Sequence, residues 1–393
     1  MTATRSNDST PAQAPCLYLA FELGWSEWKL AFTIGAGQKP RLRSVPARDR
    51  DRVLAEIAKA KQRFELPADA PVRSCYEAGR DGFWLHRWLL HAGVLNIIVD
   101  SSSIEVNRRQ RRAKSDGLDA AKLVSMLLRF YGGESKVWSV LTVPTPAAED
   151  LRQLHREMIA LKDERTSHVN RLKGLLANQG LELRCVDAHF PGSLDTMRCW
   201  DGSPLSDDLR ARLLREFARW QFVDRQIMDL ENDRRRRIRR DQTPHVEQVR
   251  RLLELSGVGL NGSWMLVMEL FGWRVIANRK QLGSMVGLTP TPFQSGTTAR
   301  EQGISKAGNR RLRKLMVELA WCWIRWQPDS ELTQWYQRRF GSGKRARKVG
   351  IVAVARKLLI ALWRYLEHGE IPKGANTCAW RPKVSGRDNK RAA

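Results

Sequence analysis

The sequence predicts an α/β domain followed by a mainly helical remainder. In the first third of the chain, short apolar stretches alternate with segments whose apolar residues repeat at helical spacing. Strands that alternate with helices are typical of an α/β domain with a central sheet. After residue 147, apolar residues repeat at helical spacing through long charged stretches, which favours helices. A chain of 393 residues is also longer than one core usually serves, so we expect two or three domains.

The predicted α/β domain covers residues 16–135. Apolar and aromatic side chains dominate residues 16–35 on both sides of a break at residues 24–27, which predicts two strands and a turn. Two further apolar stretches predict strands at residues 72–76 and 94–99. Apolar spacing predicts helices over residues 51–64, 83–92 and 119–130.

Residues 147–240 are predicted to form a helical coiled-coil arm. Apolar residues within 151–176 and again within 209–240 have helical spacing, and the Pro- and Gly-containing residues 187–204 connect the two sets. Two antiparallel helices that dimerise are the natural interpretation. We expect the arginines within residues 234–240, at the end of this arm, to meet phosphate.

The C-terminal domain is predicted to span residues 249–370. It has helical segments around a glycine-rich centre at residues 283–308, and we expect Trp321, Trp323, Trp326 and Trp335 to pack in its core. Residues 1–15 are expected to be a disordered leader, and residues 372–393 a polar and basic tail.

The charge balance points to nucleic acid. Lysine and arginine number 68 against 42 acidic residues, a formal net charge of +26. Such an excess is typical of proteins that bind a polyanion, although charge alone leaves DNA and RNA both open. No apolar run approaches the roughly 20 residues that cross a bilayer, so we expect a cytoplasmic protein with no membrane partner. The six cysteines form no CxxC pair and are expected to be buried free thiols.

Four acidic residues of the α/β domain are candidate ligands of catalytic magnesium. Glu22 and Glu77 each lie at the end of a predicted strand, and Asp116 and Asp119 are three residues apart at a helix start, hence on one face. Mg²⁺ prefers several carboxylate oxygens on rigid elements, and two-metal phosphoryl transfer uses such clusters. Helix-start aspartates are also common caps, so spacing alone leaves a structural role open.

Basic residues directly before the last acid pair favour a site that a nucleic-acid backbone approaches. Their alternative role is to neutralise the neighbouring acids. These candidate nucleic-acid contacts are Arg108, Arg109, Arg111, Arg112 and Lys114.

Two segments of the C-terminal domain supply further candidates. The turn from Gly257 to Gly259 could point backbone N–H groups at a phosphate, although such helical hairpins are equally often structural. Ser295 precedes a glycine in a predicted loop, where a hydroxyl can act as a nucleophile, but a lone Ser-Gly is far more often a turn. The cations expected to bind the scissile phosphate beside it are Lys306, Arg310, Arg311, Arg313 and Lys314.

Taken in order, these segments resemble one family, the DEDD-type transposases of the "one-ten" bacterial insertion sequences. That family is related to the Piv DNA invertases and includes bridge-RNA-guided recombinases. The resemblance covers about residues 16–365 and lies in the order of its motifs: LAFELG, YEAGRDG, KSDGLDA, GVG at Gly257, GLTP at Gly287, SG at Ser295 and ISKAGNRRLR from Ile304. One departure is that the family's first acid is usually Asp, whereas this chain has Glu22.

The resemblance implies a RuvC-like (RNase H-like) N-terminal domain, a coiled-coil arm and a C-terminal transposase domain. It implies that Ser295 attacks DNA and becomes covalently linked to it, while Glu22, Glu77, Asp116 and Asp119 hold Mg²⁺. The implied partners are double-stranded donor and target DNA, a structured guide RNA, and further copies of the chain in a homodimer or homotetramer. The protein would act at the nucleoid of a bacterium.

Two other functions remain open at this stage. In a RuvC-like, structure-specific (Holliday-junction) endonuclease, metal-activated water would cut DNA and Ser295 would be a turn residue. In a non-catalytic nucleic-acid-binding protein, the acidic cluster would have decayed, for which Glu22 is the only sign.

Overall fold

A five-stranded sheet forms the centre of the N-terminal unit. The computed structural model describes residues 15–105, 116–295, 298–341 and 343–378, which divide into two compact units at Val143 and Pro144. The sheet has the order β3-β2-β1-β4-β5; β1, β2 and β3 are antiparallel neighbours, whereas β4 lies parallel to both β1 and β5. The strands are β1 (Leu17–Leu23), β2 (Glu27–Thr33), β3 (Arg41–Pro46), β4 (Val72–Glu77) and β5 (Val94–Val99).

Helices cover both faces of this sheet because successive side chains of a strand point to opposite faces. The odd-numbered residues of β1, such as Leu19, are buried in one cluster with residues of α1 (Arg50–Arg63) and α2 (Trp84–His91). The even-numbered residues, such as Ala20, are buried in a second cluster with α3 (Asp116–Tyr131). The central strands are therefore apolar on both faces, which explains their nearly continuous apolar runs.

A long helical hairpin begins the second unit. After α4 (Pro146–Asp150), the 25-residue helix α5 (Gln153–Ala177) packs against the 34-residue helix α7 (Asp207–Arg240), with α6 (Phe190–Ser193) in the connection. Lys162 pairs with Glu231 at 3.3 Å and Arg165 with Asp224 at 2.7 Å, so the partner number falls as the residue number rises. The two helices are antiparallel; the supercoil and the dimerisation of this arm stay predictions.

A buried charged layer crosses this hairpin. The Nδ1 atom of His168 on α5 lies 2.6 Å from Oε1 of Glu216 on α7, and both residues are about 95% buried, with exposures of 4% and 5%. Arg171 and Arg219 each place a guanidinium nitrogen 2.9 Å from the same carboxylate. Burial opposes ionisation of Glu216, but the hydrogen bonds from His168 and Arg219 lower its pKa.

The described residues in the rest of the second unit form helices and one β-hairpin. Residues of seven helices share one apolar core, in which Trp264, Trp323 and Leu358 are fully buried. The helix α9 continues directly into a π-helical turn at Val267–Phe271. The elements are α8 (Pro244–Leu253), α9 (Leu260–Leu266), α10 (Arg279–Val286), β6 (Pro290–Ser295), β7 (Thr298–Ile304), α11 (Arg310–Trp326), α12 (Glu331–Phe340) and α13 (Lys344–His368).

Three expectations about this part of the chain need correction. Ser295 ends strand β6 of a hairpin, where a loop was predicted. Trp321 and Trp326 are 47% and 58% exposed and do not pack in the core, because they lie on the outer face of α11. Of the six free cysteines, Cys16 and Cys75 are buried as predicted, and the other four are wholly or partly exposed.

Within the described ranges, the helices are all too short or too polar to cross a bilayer.

Candidate active site

Glu22 and Glu77 lie at the same edge of the sheet. Glu22 is the penultimate residue of β1, and Glu77 is the last residue of β4. The two strands are parallel neighbours in which Phe21 pairs with Tyr76, so the two glutamates follow directly after a paired position. The carboxyl ends of parallel strands meet at one edge of a sheet, which is where α/β proteins usually bind their ligands.

Both glutamates belong to the face of the sheet that α3 covers. Ala20 and Cys75, two residues before them, are buried in the cluster with α3, and side chains two residues apart on a strand share a face. Asp116 and Asp119 lie in the first turn of α3, which is fixed on this face by Leu123 one turn later. The carboxyl ends of β1 and β4 and the first turn of α3 therefore face one another at the same edge of the sheet.

The four acids line one cavity. Its volume is about 640 Å³, and its walls include Glu22, Glu77, Asp116 and Asp119. Residues that are remote in sequence are brought together here because the β1–β4 edge and the start of α3 enclose the same space.

The donor atoms around this cavity are of the type that Mg²⁺ prefers, namely carboxylate oxygens on a strand edge and a helix start. The four carboxylates are too far apart to share one ion as placed: among the described residues, His, Cys, Asp and Glu side chains form no group of three or more that could hold a metal ion. The chemistry of the donors therefore fits magnesium, and binding requires the carboxylates to converge across the cavity. Ligation of the metal by these four residues stays a prediction.

The cavity also contains charged residues that the sequence reasoning missed. Arg80, Asp81 and Lys122 line it beside the four acids. The side chain of Asp81 is only 5% exposed and pairs with Arg80 and with Arg48, at 3.3 Å in each case. Asp81 follows Glu77 by four residues in YEAGRDG, and this closeness to Glu77 in the sequence was the one signal that could have identified it as a site residue.

Lys122 and Arg129 of α3 hold the chain where it leaves the cavity. Lys122 donates a short hydrogen bond to the backbone carbonyl of Glu105, and Arg129 pairs with the Glu105 carboxylate at 3.0 Å. Hydrogen bonds from Arg129 lower the pKa of Glu105. The predicted contacts that follow lie outside the described residues: Arg108, Arg109, Arg111, Arg112 and Lys114.

In the second unit, Ser295 is the last residue of β6 and pairs with Thr298 of β7. The side chain of Ser295 lies outside the described part of the chain. Lys306, just beyond β7, is exposed and has a left-handed backbone with φ of 57°. Such a backbone is unusual for a lysine and is held here by a hydrogen bond from its N–H to the carbonyl of Gly287, at 3.2 Å.

The end of α10 is joined closely to the start of α11. Gly287 ends α10 with a left-handed backbone, φ of 71°. The N–H of Asn309 donates to the carbonyl of Met285 at 2.8 Å, and a guanidinium nitrogen of Arg313 donates to the carbonyl of Val286 at 3.2 Å. Arg313 is thus partly used in capping α10, whereas the predicted phosphate contacts that remain exposed on α11 are Arg310, Arg311 and Lys314.

The Gly257–Gly259 turn has a packing reason for its first glycine. Gly257 has a φ of 85°, and a Cβ atom there would lie 3.1 Å from both the carbonyl oxygen of Cys322 and Cβ of Trp326. A Cβ atom on Gly259, the N-cap of α9, would contact nothing within 4 Å. Gly257 is therefore required by the close approach of α11, and only Gly259 has room for a ligand.

The arginine run at the end of α7 is largely engaged within that helix. Arg234 is 3% exposed, and burial lowers its pKa to about 10. Arg236 and Arg237 both pair with Asp233, and Arg235 approaches Glu231 at 3.7 Å. Contact between this run and phosphate stays a prediction.

A buried ion cluster ties the π-helical turn to α5. Oε1 of Glu269, a residue 2% exposed, accepts from His155 Nε2 at 2.9 Å and from Arg156 Nε at 2.8 Å. Burial works against the charge of Glu269, but the hydrogen bonds from His155 and Arg156 lower its pKa to about 2. The carboxylate is therefore ionised throughout the physiological pH range.

The chain is similar in sequence to proteins named as transposases. Residues 249–335 match the family model described as "Transposase IS116/IS110/IS902 family". The Sinorhizobium fredii protein named "Putative transposase y4rJ" is 38% identical over 372 residues, which cover 91% of this chain and 94% of that protein. The "Transposase for insertion sequence element IS1328" of Yersinia enterocolitica is 26% identical over 183 residues, covering 45% of this chain and 51% of the relative.

Proposed function

The chain belongs to the IS116/IS110/IS902 family of transposases, and we propose that it cuts and rejoins double-stranded DNA as the transposase of a bacterial insertion sequence. The observation that carries this proposal is that four acidic residues from β1, β4 and α3 line one cavity. The five-stranded mixed sheet is compatible with the RuvC-like fold that the family resemblance implies.

In this proposal, Glu22, Glu77, Asp116 and Asp119 hold Mg²⁺ in the cavity. When bound, the metal supplies positive charge that stabilises the additional negative charge on a reacting phosphodiester. The chain's own contribution is to place the four carboxylates on rigid elements so that they can converge with little loss of entropy. The buried apolar faces of β1, β4 and α3 behind them keep those elements fixed.

The proposed nucleophile is Ser295. Its Oγ atom attacks the phosphorus, the bond between phosphorus and one deoxyribose oxygen breaks, and that oxygen takes up a proton as the hydroxyl proton of the serine is lost. Rejoining is the reverse step, in which a hydroxyl of another strand displaces the serine. Because the phosphodiester energy is kept in the serine link, no further energy source is needed. Lys306, Arg310 and Arg311 would bind the flanking phosphates.

A structured guide RNA that pairs with donor and target DNA, and assembly into a homodimer or homotetramer, complete the proposal. The support for RNA is the family resemblance; the net charge of +26 fits a polyanionic partner of either kind.

The test is to incubate the full-length protein with the flanking RNA of the element, DNA and Mg²⁺, and to look for a protein–DNA adduct that survives denaturation. We expect an adduct in the wild type and none in Ser295→Ala. Ser284→Ala, an exposed serine on α10, is the matched control and should form the adduct normally.

The possible failures of this experiment differ from one another. DNA cleavage without an adduct would mean a structure-specific nuclease in which water is the nucleophile. Absence of cleavage in every condition would mean a non-catalytic binder. Unchanged DNA processing by Asp116→Asn would overturn the assignment of the metal ligands.

A further inference from the structure

An exposed tryptophan lies beside the acidic cavity, in contact with two arginines. Trp25 is in the turn between β1 and β2, three residues after Glu22, and is 68% exposed. The guanidinium carbons of Arg48 and Arg80 lie 4.9 Å and 4.6 Å from the centre of its ring, within the range of cation–π interaction.

The two arginines are held in place by a buried acid. Both pair with Asp81 at 3.3 Å, and the side chain of Asp81 is 5% exposed. Arg48 also donates to the backbone carbonyl of Trp25 at 3.3 Å. These bonds fix the orientation of the two arginines and leave each side chain about half exposed, at 45% and 50%.

The backbone at Arg48 is unusual in the same place. Its φ of 68° lies in the left-handed region, which an arginine rarely adopts, and the cost is of the order of 1 kcal/mol. Next to it, the N–H of Ala47 donates to the carbonyl of Ser26 at 2.9 Å, which fixes the β1–β2 turn against the β3–α1 connection. A strained residue that directs a charged side chain onto an exposed ring is typical of a binding site.

Stability alone gives a weak account of this cluster. Exposed cation–π pairs contribute only about 0.5–1 kcal/mol each, which is comparable to the backbone cost at Arg48. An indole that keeps two thirds of its surface in water gains little from folding. By contrast, an exposed ring flanked by fixed guanidinium groups has what a nucleotide needs, a stacking surface for the base and donors for the phosphate.

We propose that Trp25, Arg48 and Arg80 form a subsite for one unpaired nucleotide of the DNA strand that enters the acidic cavity. The base stacks on Trp25, and the neighbouring phosphate accepts hydrogen bonds from the two arginines. The position follows from Arg80 and Asp81, which line the cavity together with Glu22 and Glu77. This inference rests on the proposed function in taking DNA as the substrate and the acidic cavity as the place that a strand enters.

The test uses photocrosslinking, because the strongly basic chain will bind DNA at other places as well. Full-length protein is mixed with single-stranded DNA that carries 5-iododeoxyuridine, at a salt concentration high enough to suppress phosphate-only contacts. After irradiation, the crosslinked peptides are identified by mass spectrometry. We expect an adduct on Trp25 that Trp25→Ala removes and that Trp25→Phe retains in part.

The arginines are tested by two substitutions and one control. Arg48→Gly removes the guanidinium and suits the left-handed backbone, so it should fold normally and lower the yield of the Trp25 adduct at least about fivefold. Arg80→Ala should do the same. Arg52→Ala removes an arginine of α1 that is 71% exposed and should leave the yield unchanged. Trp200, 81% exposed in the second unit, reports on random crosslinking.

Several outcomes would overturn the subsite. These are an adduct on Trp200 as strong as that on Trp25, an effect of Arg52→Ala equal to that of Arg48→Gly, or crosslinking only to an RNA of the same sequence. Asp116→Asn should lose DNA processing and keep the Trp25 adduct. If the protein processes DNA but forms no Trp25 adduct, only the proposed subsite is refuted. If it forms the Trp25 adduct but never processes DNA, only the proposed function is refuted.

Discussion

Gly287→Ala tests whether the junction of α10 and α11 depends on one glycine. The residue has a φ of 71°, a conformation that costs alanine about 1–2 kcal/mol. A Cβ atom there would also lie 2.0 Å from the carbonyl oxygen of Ala307, where ordinary contacts begin near 3.4 Å. That neighbour is backbone, so it can yield only if the loop before α11 moves away from α10.

Such a movement breaks the two hydrogen bonds that join the loop to α10. They run from Lys306 N–H to the Gly287 carbonyl, at 3.2 Å, and from Asn309 N–H to the Met285 carbonyl, at 2.8 Å. Each contributes about 1 kcal/mol. Together with the backbone cost, we expect Gly287→Ala to lower the free energy of opening of this junction by about 3–4 kcal/mol.

Native-state hydrogen exchange of the peptides from α10 and α11 measures this free energy locally. The expected loss corresponds to amide exchange that is faster by at least about 100-fold. Gly283→Ala is the matched control in the same helix, because a Cβ atom there meets its nearest neighbours at an ordinary 3.5 Å. It should stabilise α10 by about 0.5–1 kcal/mol. Equal effects of the two substitutions, or normal protection in Gly287→Ala, would refute the steric reasoning.

Four further predictions concern the charged residues. Glu22→Gln should lower DNA cleavage at least about 100-fold, as removal of one electrostatic contact at an active site does, whereas the exposed Glu27→Gln of β2 should leave the rate unchanged. Glu269→Gln should destabilise the second unit by about 3 kcal/mol in thermal or chemical unfolding, since the buried His155 and the partly exposed Arg156 lose their carboxylate partner. In the wild type, the lowered pKa of Glu269 gives stability that is present above its ordinary value of 4.5 and is lost as pH falls towards 2, which an acid titration of unfolding measures; a flat profile over that range would contradict the cluster. Replacing Arg310 and Arg311 together by Ala should reduce the salt dependence of duplex DNA binding by about two phosphate contacts without changing its preference among DNA sequences, and an unchanged salt slope would remove them from the interface.

Most regular elements could be predicted from the spacing of apolar residues, and the exceptions have physical reasons. The strand β3 (RLRSVP) was missed because it is an edge strand that pairs through its backbone and buries only Val45. The hairpin of β6 and β7 was missed because Pro290 and Pro292 argue against a strand, although proline is tolerated where the N–H faces away from the partner.

The candidate site could be predicted in part. The order of the motifs identified the four acids, and their strand-end and helix-start positions explain why they line one cavity. The contact of Trp25 with Arg48 could not be predicted, because it depends on how the β1–β2 turn packs against the connection after β3. Asp81 was missed since its partners Arg48 and Arg80 are joined to it only in the folded protein.

The buried pair of His168 and Glu216 joins the two long helices of the hairpin at one position along their length. Sliding α5 past α7 by one turn, about 5.4 Å, would separate the buried carboxylate of Glu216 from His168 and Arg171 and leave it only Arg219 of its own helix, at a cost of about 3 kcal/mol. The axial register is therefore fixed, and 25 residues of α5 set a reach of about 37 Å between the ends of that helix. An insertion in one of the two helices would need a matching insertion in the other, so the length of this hairpin can change only in paired steps.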